Sequence, residues 1–190
     1  VRDHDGQVQV EHRCFALAPT QDAIHRIFGN PEAGKAEIMT HWAAAEAQPG
    51  GEAINVELMR SRTFPYPYSM PGLLACKVAE IQRGQAAHWD MFDRLQQAHA
   101  VEALNIADPE VLHTCAADLG LDLGHWEKDL NSNQTRNSVE LDLAEAQAVG
   151  VNSVPTLSFD GRRSLPGAVP EIMLRQIIDD ILAGRDPARR

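Results

Sequence analysis

The chain has 190 residues, 44% hydrophobic, 23% charged and 5% aromatic, a balance that excludes intrinsic disorder, collagen and low-complexity filament. Its net charge of −10 sets 27 Asp and Glu against 17 Lys and Arg. That field repels phosphate, so a nucleic-acid partner is not expected, and no apolar run approaches the roughly 20 residues that span a bilayer, so neither is a membrane.

Val1 to Gln7 is a polar, turn-like run without the plan of a signal peptide, and it reads as a loop entered from something upstream. Val8 to Leu17 alternates with period two, predicting a strand with Val8, Val10 and Cys14 on one face. Thr20 caps a short helix through Phe28. Pro31 opens a second, with Ile38, Met39 and Trp42 at helical spacing, stopped by Pro49-Gly50-Gly51. Asn55 to Tyr68 reads as irregular, and the prolines of Phe64-Pro-Tyr-Pro-Tyr68 force an extended path. Ser69 is expected to cap a helix holding Leu73, Leu74, Cys76, Val78 and Ile81, broken at Gly84. The next helix sets Trp89, Phe92, Leu95 and Val101 on its apolar side. Asp108-Pro109 starts another that stops at Gly120, Asp122 starts a short one, and a last runs from about Thr135 to Val149. Thr156–Phe159 and Arg162–Leu165 flank Asp160-Gly161, the signature of a two-residue hairpin. Pro170 opens a final helix with Met173, Ile177 and Ile181 in one stripe beside Leu174, Ile178 and Leu182, ending at Gly184.

Chemistry-bearing patterns are sparse. Cys14, Cys76 and Cys115 are three thiols at wide spacing with no Cys-x-x-Cys, which fits reduced cysteines of a cytoplasmic protein better than a disulfide framework. The eight histidines include no i,i+4 pair, so no metal is expected. Gly29-Asn-Pro-Glu-Ala-Gly34-Lys35 satisfies G-x-x-x-x-G-K, but Ala36 stands where a hydroxyl should reach magnesium and Pro31 lacks an N–H. Nucleotide binding is therefore rejected, and no cofactor is expected. The informative run is Gly150-Val-Asn-Ser-Val154-Pro155-Thr156, a helix-to-hairpin joint. A cis Val154–Pro155 bond would leave the backbone of Val154 free for an incoming extended segment, whereas a trans proline would merely start the strand. The residues leave both open.

Taken with Asp160-Gly161 and the Pro166-Gly-Ala-Val-Pro-Glu171 run into the last helix, that joint resembles the C-terminal half of the DsbA/FrnE-like thioredoxin-fold family. Tyr68-Ser69, Asp108-Pro109-Glu110-Val111-Leu112, Gly120-Leu121-Asp122 and Glu145-Ala146 are similar to its helical middle, and His12-Arg-Cys-Phe-Ala-Leu17 to its second strand. The resemblance implies an α/β, thioredoxin-like fold with an all-helical insertion: residues 1–30 and 135–190 form the two thioredoxin-like parts and residues 31–134 the insertion. It implies a thiol–disulfide oxidoreductase acting on a peptide or a small thiol such as glutathione, with a second copy of the chain a further candidate partner. The family's first strand, Cys-x-x-Cys and helix would lie upstream of Val1, in about 40 residues. Ser153, Val154 and Pro155 would face the attacking sulfur, while the three cysteines here would be bystanders. The competing readings are a glutathione-dependent isomerase or transferase of the 2-hydroxychromene-2-carboxylate isomerase type and a redox-inactive binding module. In all of these readings the insertion would shape a cleft over the Pro155 loop with Tyr68-Ser69 and His41-Trp42 as candidate liners, although those aromatics more readily serve as core.

Overall fold

The computed structural model describes residues 6–48, 51, 53–161 and 163–185. These hold nine α-helices and one two-stranded sheet. The chain divides into two compact units, His12–Asp142, and Val1–Glu11 with Leu143–Arg190.

The first unit is helical. Thr20 accepts from the Ala23 N–H to cap α1 (Gln21–Phe28), and Asn30 accepts from the Ala33 N–H ahead of Pro31 to start α2 (Pro31–Glu46). Of the expected stop after α2, Pro49 and Gly50 lie outside the described residues. The stretch expected to be irregular contains a helix, α3 (Val56–Ser61), capped by Asn55. Six residues are too few for a period of 3.6 to show. Its buried Val56 and Met59 form a small core with Met39 and Ala103, against which Trp42, Phe64 and Tyr66 pack.

α4 (Ser69–Arg83) and α5 (Gln85–Gln96) are separated by Gly84, whose φ of 83° is the left-handed conformation that glycine tolerates. A π-helical turn, Gln97–Val101, continues α5. α6 (Pro109–Asp118) and α7 (Leu123–Leu130) follow, capped by Asp108 and Asp122. The main core lies among these four helices and includes Ala75, Val78, Ala79, Met91, Leu95, Leu112, Ala116 and Trp126. Five of its thirteen buried residues are alanines, small side chains that let helix axes approach closely. For that reason the buried stripe of α5 is Ala87, His88, Met91 and Leu95, and the expected Trp89, Phe92 and Val101 are exposed by 38–43%.

Two expectations fail here for one reason. Val8 to Leu17 is not a strand, and Val10 is exposed. Instead, side chains meet its backbone donors: His12 N–H to Gln85 Oε1 (2.7 Å), Cys14 N–H to Asp142 Oδ2 (2.8 Å), and Ala18 N–H to Ser69 Oγ (3.0 Å). Ser69, expected as a cap, is the first residue of α4, and its own N–H returns a bond to Ala18 C=O at 2.7 Å. Side chains thus take two of the segment's backbone donors, and that of Ala18 just beyond it, where a ladder was expected.

α8 (Asn133–Ala148) begins in the first unit, and its last residues belong to the second. In the second unit β1 (Thr156–Phe159) pairs antiparallel with β2 (Arg163–Pro166), Thr156 opposite Pro166 and Phe159 opposite Arg163. Asp160 and Gly161 have φ of 50° and 65°, the two positive values of the expected turn. Arg162, the expected first residue of the second strand, lies outside the described residues. α9 (Glu171–Leu182) buries Ile177 and Ile178, whereas Met173 of the expected stripe is 53% exposed.

Candidate functional site

The second unit carries the Ser153–Val154–Pro155 loop. α8 closes through Val149 N–H to Glu145 C=O and Val151 N–H to Ala146 C=O, and the chain then leaves the helix. Thr156 Oγ1 donates to Ser153 C=O at 2.7 Å, and Gly167 N–H donates to Pro155 C=O at 2.8 Å, so both flanks of Val154 are fixed. The Val154–Pro155 bond is cis. Val154 is 44% exposed, Pro155 is exposed and Ser153 is half-buried. No hydrogen bond among the described residues engages the N–H or C=O of Val154. Such a donor–acceptor pair on an anchored, exposed loop can bond an extended segment as a neighbouring strand would.

The three thiols are all in the first unit, and all are free and buried. Burial raises the pKa of Cys14, with Cys76 and Asp142 nearby adding to the effect, and its Sγ faces the Leu73 carbonyl at 3.9 Å. Burial also pushes Cys76 up to about 12 and raises Cys115. The thiolate is the nucleophile, so none of the three is activated near neutral pH.

The first unit also holds a buried charge cluster that no sequence motif announced. Lys77 Nζ lies 2.8 Å from both Asp142 Oδ2 and Glu80 Oε2, and Glu80 Oε2 is 2.7 Å from His88 Nδ1. Asp142 also accepts from Arg13 at 3.1 Å and from the Cys14 N–H. Burial works against the charge of Lys77, but hydrogen bonds to Asp142 and Glu80 outweigh it and raise its pKa. Burial likewise opposes ionisation of Asp142 and Glu80. Lys77 reverses this in both, with the Cys14 N–H helping at Asp142 and His88 at Glu80, so both stay below the usual carboxylate range. Burial wins at His88, whose pKa is lowered despite Glu80. The cluster pins residues 13–14 to α4 and α8. Its one sequence signal was a lysine, one of only three in the chain, inside the apolar run Ala75 to Ala79.

Of the candidate liners, His41 is exposed, and Tyr68 and Ser69 are half-buried. Trp42 stands edge-on to Tyr66 (centroids 6.2 Å apart) and to His99 (5.0 Å). His99 Nδ1 lies 3.2 Å from Leu104 C=O, so it carries the proton, and Nε2 accepts from the Tyr66 hydroxyl at 3.1 Å. Trp42 therefore has the packing of a core residue. Among the described residues no group of three or more His, Cys, Asp or Glu could hold a metal, and no helix is long and apolar enough to cross a membrane.

A family model described as Thioredoxin matches residues 33–164, which include the helical middle, the 153–155 loop and part of the hairpin. The ClpXP adapter protein SpxH of Shouchella clausii is 26% identical over 192 residues, 90% of this chain and 63% of that protein. SpxH of Bacillus subtilis is 31% identical over 139 residues, 70% of this chain and 45% of that protein. The chain thus spans about half to three-fifths of the length of these curated relatives. A protein of Nitrosomonas europaea, provisionally named a protein disulfide isomerase, superposes with a TM-score of 0.71 at 18% identity, over 93% of this chain and 80% of that one. The cytosolic disulfide reductase DsbM of Pseudomonas aeruginosa does so with a TM-score of 0.60 at 23% identity, over 83% and 78%. The fold is accordingly thioredoxin-like, α/β with a large helical part.

Proposed function

Because the chain belongs to the thioredoxin family, as its DsbA/FrnE-like sequence features implied, we propose that it is a thiol–disulfide oxidoreductase of the DsbA/FrnE-like type. Its substrate is a peptide or small thiol, and its place is the cytoplasm. The division into residues 1–30, 31–134 and 135–190 belongs to the same reading. The observation that carries it is the backbone of the exposed residue Val154, unbonded among the described residues, on an anchored loop inside the family match. The resemblance to the family implies that the attacking sulfur belongs to a Cys-x-x-Cys preceding Val1, and the three thiols here, buried and unactivated, do not compete for that role. That thiolate attacks the substrate disulfide, one substrate sulfur leaves as a thiolate and takes up a proton, and a mixed disulfide forms. The second cysteine then displaces the other substrate sulfur. The enzyme dithiol is thereby oxidised as the substrate disulfide is reduced, and the reverse flow is equally allowed. Ser153, Val154 and Pro155 would hold the substrate backbone alongside.

The test is reduction of insulin disulfides and of glutathione disulfide by the full-length protein. Exchange with either substrate, retained in each of the single variants Cys14→Ala, Cys76→Ala and Cys115→Ala, is expected. Loss of exchange in a folded single variant would transfer the chemistry to that residue and overturn the assignment. Absence of exchange would favour a redox-inactive binding module, the reading to which the adapter name of the SpxH relatives lends support. Glutathione-dependent isomerisation without disulfide exchange would favour the isomerase reading.

A further inference from the structure

One cavity of about 570 Å³ lies wholly within the first unit, between the first turns of α2 and the chain leaving α3. Its charged lining is Lys35, Arg60 and Arg62 against the single carboxylate of Glu32, and Met39 and Phe64 supply apolar wall. An excess of cations is unexpected in a chain of net charge −10 with three lysines. Arg60 is neutralised by Glu57 at 2.5 Å. The other two cations are not. Among the described residues Arg62 is held by carbonyls, Nε to Ala103 C=O at 3.0 Å and Nη2 to Glu102 C=O at 3.2 Å. Lys35 Nζ donates to the Arg62 carbonyl and sits over the Phe64 ring, 5.4 Å from its centroid. No carboxylate among the described residues pairs with either. Carbonyls fix both side chains in place without cancelling their charge, which leaves each with N–H donors to spare. Burial lowers the pKa of Lys35, as an uncompensated cation requires.

Lys35 is the lysine of the G-x-x-x-x-G-K run, and the structure gives that run another sense. Gly34 is there because a Cβ would meet Ile24 and Phe28 of α1 at 3.2 Å, so it serves helix packing. Lys35, one residue on, is turned into the cavity. From this geometry we infer that the cavity binds a small amphipathic carboxylate, its anionic group on Lys35 and Arg62 and its apolar body against Met39 and Phe64. The volume lies in the range of ordinary small-molecule sites, roughly 300–1,000 Å³. A planar guanidinium fork beside an ammonium suits a carboxylate, and the apolar wall gives no gain to a bare inorganic anion. The inference does not depend on thiol chemistry.

Calorimetric titration of the full chain with 4-phenylbutyrate, 4-phenylbutanol and inorganic phosphate tests it. The acid should bind, and the alcohol and phosphate should each bind at least about tenfold more weakly, one charge-assisted contact or one buried ring being worth that much. Lys35→Met, which keeps the packing over Phe64, should weaken the acid by a similar factor, and Lys35→Arg should restore it. No binding of the acid at millimolar concentration, equal binding of the alcohol, or binding of the acid unchanged in folded Lys35→Met would overturn the inference. Phosphate binding as tightly as the acid would overturn its amphipathic part. Should Lys35→Met not fold, the acid–alcohol comparison on the unaltered chain still decides.

Discussion

Lys77 and Asp142 are each 2% exposed and meet at 2.8 Å. Removing one member of such a pair strands the other in the interior, so Asp142→Asn should cost about 3–5 kcal/mol in urea unfolding. Arg13→Ala, which deletes the half-exposed partner of the same carboxylate, should cost under about 1 kcal/mol. Equal losses would show that the cluster is not desolvated. Buried histidines and the two carboxylates of the cluster set the pH dependence. His12, His88 and His99 have pKa values held below 6.5 by burial, so the unfolded chain takes up their protons first, and stability should begin to fall as pH drops through 6.5. Asp142 and Glu80 lie below their usual 3.8 and 4.5; their contribution is full above those values and is lost as pH falls through the lower folded ones. Thermal melts from pH 8 to pH 3 should therefore show a decline in two stages. A flat melting temperature between pH 7 and pH 5 would contradict the buried neutral histidines. Composition shows that such residues exist, but only the fold reveals that Lys77, Glu80, His88 and Asp142 converge, because they come from three helices.

Helix starts and the hairpin were legible because their signals are local. Thr20, Asp108 and Asp122 cap where expected, and Asp160-Gly161 turns where expected. What failed depended on partners remote in sequence. Val8 to Leu17 alternates like a strand, yet its His12 and Cys14 N–H groups go to Gln85 and Asp142, and that of Ala18 just beyond goes to Ser69, none of which a period can foresee. Of the expected α5 stripe Leu95 is buried, but Trp89, Phe92 and Val101 are not, because Ala87, His88 and Met91 take the contact face. Gly34 is a similar case: it stands in a run whose phosphate-binding reading is rejected, and only the fold shows that it serves packing against α1. Gly34→Val should drive Ile24 and Phe28 apart and cost about 1–3 kcal/mol, the usual range for overpacking. Chemical denaturation checks this, and an unchanged midpoint would mean that α1 is free to shift away.

At the scale of the whole molecule, the candidate site became legible only through likeness to a family. By themselves the residues left both cis and trans proline open at Val154–Pro155, and a free Val154 backbone followed only from the cis form. The family match now covers that loop, while every cysteine within these residues is buried. The cation-lined cavity was still less visible, since Lys35 and Arg62 are 27 positions apart. The central claim is that the reactive sulfur is none of Cys14, Cys76 and Cys115. Differential alkylation of the full-length, reduced protein at neutral pH, followed by peptide mass mapping, tests it most directly. The account predicts one rapidly alkylated cysteine located before Val1, with Cys14, Cys76 and Cys115 labelled only after denaturation. Rapid labelling of any of those three in the folded protein, or the absence of a cysteine before Val1, would contradict it.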